Sequence, residues 1–362
     1  MKRLGRAFPV LAVGLLSGLV LAGSAAGTTA RHAAIVRHLA VPVGALAVDG
    51  DRVAYDLDAR DAKNPKATDR VLVWNLRTGK TVDVSGRKTA AAGAVGGEGV
   101  FQLAIAGPRV AWLVNEGGNV ESDDYLFTSS VTKPKERRVA SALRSGDGCM
   151  GRESTNCAGP WLGGLVGSGS TIALNRWTTD AQGAVASGGL YLLDGTKTTS
   201  SAAGADTLTA ASSDGGRVAV LRSDGSVAVY SQSGDVLATV SPPNAQAVAL
   251  SGKNLVVLSK GRQLELYDAR SGSLRSTFLL RGQGPQNLDV QGNVASYTSG
   301  SSVRAVNLAS GEDRPVGTLP SRIGFARVSG AGLVYAANGV RASFGTATVA
   351  FLPLARVKAL VG

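Results

Sequence analysis

Five aspartates, Asp49, Asp51, Asp56, Asp58 and Asp61, fall within thirteen residues, a density suited to gathering carboxylate oxygens around a hard cation. Calcium takes about six to eight oxygen ligands, and Asp-x-Asp spacing supplies several. Arg60, Lys63 and Lys66 compete for the same carboxylates, however, and neither the turn glycine nor the closing glutamate of an EF-hand follows. A hairpin edged with soluble, turn-favouring aspartates explains the run more simply. Asp56 and Asp58 stand as the calcium candidates, and no cofactor is expected.

The other reactive groups are few. Both histidines, His32 and His38, lie near the N-terminus, so the body of the chain has none to serve as general base or metal ligand, which argues against most hydrolase triads. No Gly-x-Ser-x-Gly elbow, Walker loop or His-Glu-x-x-His helix occurs. The string Gly146-Asp147-Gly148-Cys149-Met150-Gly151 matches a dinucleotide pattern, but no strand precedes it and no helix follows, so it reads as coincidence. Sialidase-type boxes are approached at Ser212-Ser213-Asp214-Gly215 and Ser223-Asp224-Gly225, without the Thr-Trp that completes them. Cys149 and Cys157 are the only cysteines, close together in a chain read as exported, and a disulfide between them is expected. A zinc site would need about four ligands, which the distant histidines do not supply.

Export is read from the N-terminus. Lys2, Arg3 and Arg6 precede an apolar run from Ala7 to Ala22, followed by the small residues Ser24, Ala25 and Ala26, so residues 1–26 are expected to be a signal peptide. The run is short for a spanning helix and is interrupted by Pro9, Gly14 and Gly18. Its removal takes three of the 38 basic residues and none of the 26 acidic ones, leaving a net charge of about +9. That charge is dispersed. The densest group, Lys133, Lys135, Arg137 and Arg138, also contains Glu136, and aromatics are sparse, so no specific nucleic-acid site is expected. A secreted or extracytoplasmic monomer with no transmembrane segment after cleavage is the reading, its partner an unknown protein or an envelope polymer.

The elements that position these residues are short strands of Val, Leu, Ala and Tyr separated by Gly, Ser, Asp and Asn turns, an all-β pattern without a convincing amphipathic helix. One phrase recurs: an apolar strand, a glycine-bearing turn, and a second apolar strand. Its turn glycines are taken as Gly50, Gly107, Gly167, Gly215, Gly252, Gly292 and Gly330, and the last three intervals are 37, 40 and 38 residues. A period near forty marks four-stranded blades. A second phrase, Trp74 to Gly79, Tyr267 to Gly272 and Val306 to Gly311, with a shorter form at Tyr230 to Gly234, marks the other hairpin of each blade. Residues 31–362 are therefore expected to form a single seven-bladed β-propeller of four-stranded antiparallel blades. Either Ile35 to Ala40 completes the last blade beside Thr346 to Leu352, which is the preferred closure, or Ala355 to Val361 closes that blade by itself.

On these phrases the chain resembles secreted bacterial propellers with WD40-like, YVTN-like or PQQ-like repeats, over essentially everything after the signal. It departs from eukaryotic WD40 blades, since Trp74-Asn75 replaces Trp-Asp and no Gly-His pair occurs.

The first three glycine intervals are longer, 57, 60 and 48 residues. The excess falls at Asp56 to Asp69, Asn115 to Asp124 and Thr178 to Gly188, between second and third strands, and at Ser85 to Val100 and Leu143 to Pro160, between blades. A meander turns at one face after strands two and four, so all five insertions are expected on one face over blades 1–3. Loops on a rigid scaffold commonly carry binding. The sequence thus reads as a binding or scaffolding propeller rather than an enzyme, with Asp58, Asp61, Asp123, Tyr125, Arg152 and Trp177 as rim residues. The competing reading is a propeller enzyme, a calcium-dependent lactonase-like hydrolase or a quinoprotein-like oxidoreductase, and it requires carboxylates that converge in space. Trp74 and Trp112 are assigned to blade-to-blade packing, and Trp161 and Trp177 border the long insertions.

Overall fold

The computed structural model describes residues 35–58, 70–85, 99–117, 122–144, 157–180, 185–194, 197–204, 208–339 and 346–362. Within them the alternating apolar segments form seven four-stranded antiparallel sheets. After β1 (Ile35–Leu39), blade 1 comprises β2 (Leu46–Asp49), β3 (Arg52–Leu57), β4 (Arg70–Asn75) and β5 (Thr81–Asp83). Blade 2 comprises β6 (Gly99–Ala106), β7 (Arg109–Gly117), β8 (Ser122–Ser130) and β9 (Arg137–Ala142), and blade 3 β10 (Trp161–Ser168), β11 (Thr171–Thr179), β12 (Val185–Asp194) and β13 (Lys197–Gly204). Blades 4 and 5 are β14 (Leu208–Asp214), β15 (Arg217–Arg222), β16 (Val227–Ser231), β17 (Val236–Val240), then β18 (Ala245–Ser251), β19 (Asn254–Ser259), β20 (Gln263–Asp268) and β21 (Leu274–Leu279). Blade 6 is β22 (Gln286–Gln291), β23 (Val294–Ser299), β24 (Ser302–Asn307) and β25 (Asp313–Thr318). Blade 7 takes β26 (Ile323–Val328), β27 (Gly332–Asn338) and β28 (Ala347–Pro353) in order, with β1 as its outer strand.

The first strands of successive blades pack against one another around the axis, β26 returning to β2, so the chain is a closed seven-bladed β-propeller. The N-terminal strand closes it, running antiparallel to β28 from Ile35 opposite Phe351 to Leu39 opposite Ala347. The alternative closure is corrected: Leu354–Val361 is a helix, α1, not a strand. Val357 and Val361, four residues apart on one helix face, bury against Leu333 and Leu352, and this apolar stripe is the helical signal the strand pattern obscured.

Each blade buries both faces, so the core lies between blades. In β3, Ala54 faces blade 2 and Tyr55 faces blade 7, as alternation along a strand requires. Trp74 seals the junction of blades 7 and 1, and Trp112 that of blades 1 and 2, both fully buried in the packing role expected of them. The left-handed turn glycines Gly50, Gly107, Gly215, Gly252 and Gly292 recur between first and second strands. In blade 3 the assignment shifts by two: Gly167 lies inside β10, and the turn residue is Gly169, at φ 59°. A side chain at Gly169 would also meet Cα of Gly215 at 3.1 Å, so backbone conformation and crowding near the axis both select glycine. Gly330 sits in the seventh turn without a left-handed φ.

Candidate binding face

Turns between first and second and between third and fourth strands lie on one face of the ring, here the turn face. Connections between second and third strands, and between blades, lie on the other, the linker face. The insertions in blades 2 and 3 correct the expectation of loops. Residues 115–117 and 122–124 continue the ladder, with Asn115, Glu116 and Gly117 opposite Asp124, Asp123 and Ser122. Thr178 pairs with Ser187 and Thr179 with Val185. β7, β8 and β11 are nine residues long and β12 ten, against five or six for the corresponding strands of blades 4–6. Three added pairs lengthen each hairpin by about 10 Å, all toward the linker face.

An ion-pair network fastens these hairpins together. Arg144, in the link from blade 2 to blade 3, grips Asp124 with both ends of its guanidinium, at 2.8 and 3.1 Å, and both side chains are wholly buried. Asn115 Nδ2 donates to Asp124 Oδ1 at 2.9 Å and the Leu162 amide donates to Oδ2 at 3.2 Å, while Arg144 also donates to Ser122 Oγ and to the Pro160 carbonyl. The fork geometry satisfies a buried carboxylate that would otherwise be costly. The same guanidinium lies 4.1 Å over the Trp161 ring, which in turn stacks on Trp177, centroids 6.4 Å apart and planes 19° from parallel. Thr179 ties this end down, its amide donating to the Ala158 carbonyl and its hydroxyl to the Cys157 carbonyl, both at 2.8 Å. Gly159 is required here, because a Cβ would sit 2.6 Å from Trp161 Cδ1.

Several rim residues join this network. Asp123 accepts from the Arg144 amide at 2.8 Å and from the Tyr125 hydroxyl at 2.9 Å. Burial, then the hydrogen bond and charge of Asp123, push the Tyr125 hydroxyl up to about 12. Tyr125 is half-buried against the core between blades 1 and 2, with the Arg138 guanidinium 5.1 Å over its ring. Trp177 is also half-buried and packs with Trp161 and Cys157. Asp58 sits apart at the linker-face end of blade 1, its amide donating to the Pro42 carbonyl. Asp61, Cys149 and Arg152 lie outside the described residues. Arg144, Asp124, Asn115 and Asn175 were missed by sequence reasoning, although a polar residue closing an apolar alternation, as in Val110 to Asn115 or Ile172 to Asn175, is a readable sign of a buried polar site.

The four described aspartates of the run do not converge. Asp49 and Asp51 flank the first turn, while Asp56 and Asp58 stand some five residues along β3, about 16 Å away, at the other face. Asp56 is fully buried, and its Oδ1 accepts from the amides of Gly44 and Ala45 at 2.8 and 2.5 Å.

The axial channel offers a cavity of about 170 Å³ lined by Asp49, Asp214, Asp289 and Arg327 among others. Its carboxylates are committed to the backbone. The innermost strand of each blade has an unpaired edge, and side chains of the preceding blade supply acceptors. Asp49 accepts from the amides of Gly107 and Gly169, Asp214 from Gly252, Ser251 Oγ from Gly292 and Asp289 from Val328, and Ser329 Oγ donates to the Gly50 carbonyl. Burial raises the Asp289 carboxyl above the usual range, opposed by Arg327 and by the amides of Val328 and Val290. These groups stitch the ring.

No protein-family model matches the chain, and no curated protein is similar to it. Among solved structures, the computationally designed Ika8 protein is similar at a TM-score of 0.49 and 12% identity, over 87% of this chain and 98% of that one. At that score the likeness carries no argument about function. Among the described residues no helix is long and apolar enough to cross a membrane.

Proposed function

We propose that this protein is a binding or scaffolding β-propeller of the cell envelope or extracellular space that engages its partner through the linker face of blades 1–3. The observation that supports this is the asymmetry of the ring: the hairpins of blades 2 and 3 project beyond those of blades 4–6 on one face, held rigid by the Asp124–Arg144 pair and ending in the half-buried Trp177. Rigid supports under an aromatic rim lower the entropy cost of binding. The enzyme reading is less well supported, since Asp49, Asp214 and Asp289 in the channel already hold backbone amides of neighbouring blades. The resemblance to WD40-like, YVTN-like or PQQ-like repeats rests on the blade phrases alone.

The test compares faces. Trp177→Ala with Asp58→Ala should weaken retention on the envelope fraction of the producing cells by about 2 kcal/mol, roughly 30-fold, whereas Lys135→Ala with Arg270→Ala on the turn face should change it less than about threefold. The reverse pattern places the partner on the other face and sinks the proposal.

Export and a Cys149–Cys157 disulfide belong to the same proposal. Non-reducing mass spectrometry of material from outside the cytoplasm should yield one linked peptide pair, and free thiols on the native protein would count against both bond and compartment.

A further inference from the structure

At the linker-face end of blade 3 one row of residues runs across the sheet, Trp161 opposite Trp177, Trp177 opposite Gly188 and Gly188 opposite Gly204. The next row sets Gly163 opposite Asn175 and Asn175 opposite Leu190. Ala173 and Leu190 pack toward blade 4, so alternation puts Asn175 and Trp177 on that same side. Gly188 leaves the flank of Trp177 without a side chain. Asn175 is fully buried, and neither its Nδ2 nor its Oδ1 has a hydrogen-bond partner. A buried carboxamide with both ends unsatisfied is destabilising, and water or a ligand normally supplies what the chain does not.

We infer that this end of blade 3 binds a neutral sugar ring. The inference rests on the linker-face reading and names the ligand class for it. An aromatic ring backed by a second ring, here Trp177 on Trp161, offers an apolar platform to the C–H face of a saccharide. Asn175 beside it offers donors and an acceptor together, matching a pair of ring hydroxyls or an acetamido group. Among the described residues no charged side chain takes part in this pairing, as a neutral ring requires. The Asp124–Arg144 pair beneath Trp161 holds the platform in place.

Tryptophan fluorescence of the full protein titrated with tetra-N-acetylchitotetraose, cellotetraose and maltotetraose tests this. A saturable response to at least one is expected. Trp177→Ala should weaken it at least about tenfold and Trp177→Phe less than about threefold, because a ring can replace a ring. Asn175→Ala should also weaken binding about tenfold while leaving the melting temperature unchanged or higher, since it removes an unsatisfied buried group. A fall in melting temperature with unchanged sugar binding assigns Asn175 a structural role and overturns the inference. So does the lack of a saturable response to all three sugars, or a response only to a proline-rich peptide. If sugars fail but Trp177→Ala with Asp58→Ala still abolishes envelope retention, the sugar assignment falls and the linker-face reading stands. If both fail, both fall.

Discussion

Arg144→Ala is expected to destabilise the protein by about 3–5 kcal/mol, because removing one partner of a buried ion pair strands the other charge in a desolvated site. Asp124 would keep the Asn115 carboxamide and the Leu162 amide as donors but lose the opposite charge. Trp161 would lose the cation over its ring, and the linker-face ends of blades 2 and 3 would loosen together. Arg144→Lys should recover little, since an ammonium cannot reproduce the two-point grip on the carboxylate or the parallel bonds to Ser122 and Pro160. Denaturant unfolding of the three proteins measures the effect. A loss below about 1 kcal/mol for Arg144→Ala would mean that the pair is solvated in solution and does not brace the hairpins.

The second large effect concerns closure. A chain shortened to begin at Val41 loses the five residue pairs between β1 and β28, the Arg37 bonds to Thr81 and to the Gly79 carbonyl, and the Arg37 guanidinium 4.0 Å over Trp74. At about 1 kcal/mol of net stabilisation per hydrogen bond, a loss of roughly 5 kcal/mol is expected. Because β28 would then present an unpaired edge, self-association should accompany it. A synthetic peptide spanning residues 33–41 should restore the melting temperature and the monomer. If the shortened chain melts within about 2 °C of the full one and stays monomeric, β1 does not close the ring.

The architecture was legible because it is written in short-range patterns. The phrase around Gly50, Gly252 and Gly292 encodes a left-handed turn between two alternating strands, and its recurrence near forty residues gives blade and ring together. Gly167 misled because Gly163, Gly164, Gly167 and Gly169 crowd one strand and its turn, and spacing alone does not say which of them turns the chain. The hairpin insertions of blades 2 and 3 were located correctly but misjudged in kind, while those at Asp56 to Asp69, Ser85 to Val100 and Leu143 to Pro160 lie largely outside the described residues. Glu116, Gly117, Ser122 and Asp123 look like loop residues, yet cross-strand pairing outweighs their weak local preference. The pairing of Arg144 with Asp124 lies beyond sequence reading, since the two are twenty residues apart, and the apolar stretch before Asn175 signals a buried polar group but not that its carboxamide lacks a partner.

Hydrogen exchange of the protein with and without its envelope fraction tests the functional claim most directly, because it reads every face in one experiment. Protection on binding is expected in the projecting ends of the hairpins, residues 113–117 and 122–126 of blade 2 and residues 175–179 and 185–190 of blade 3. The turn-face segments 131–136 and 268–273 should exchange as before. Protection confined to those turn-face segments, or to the strands lining the channel, would contradict the assignment of the linker face as the binding surface.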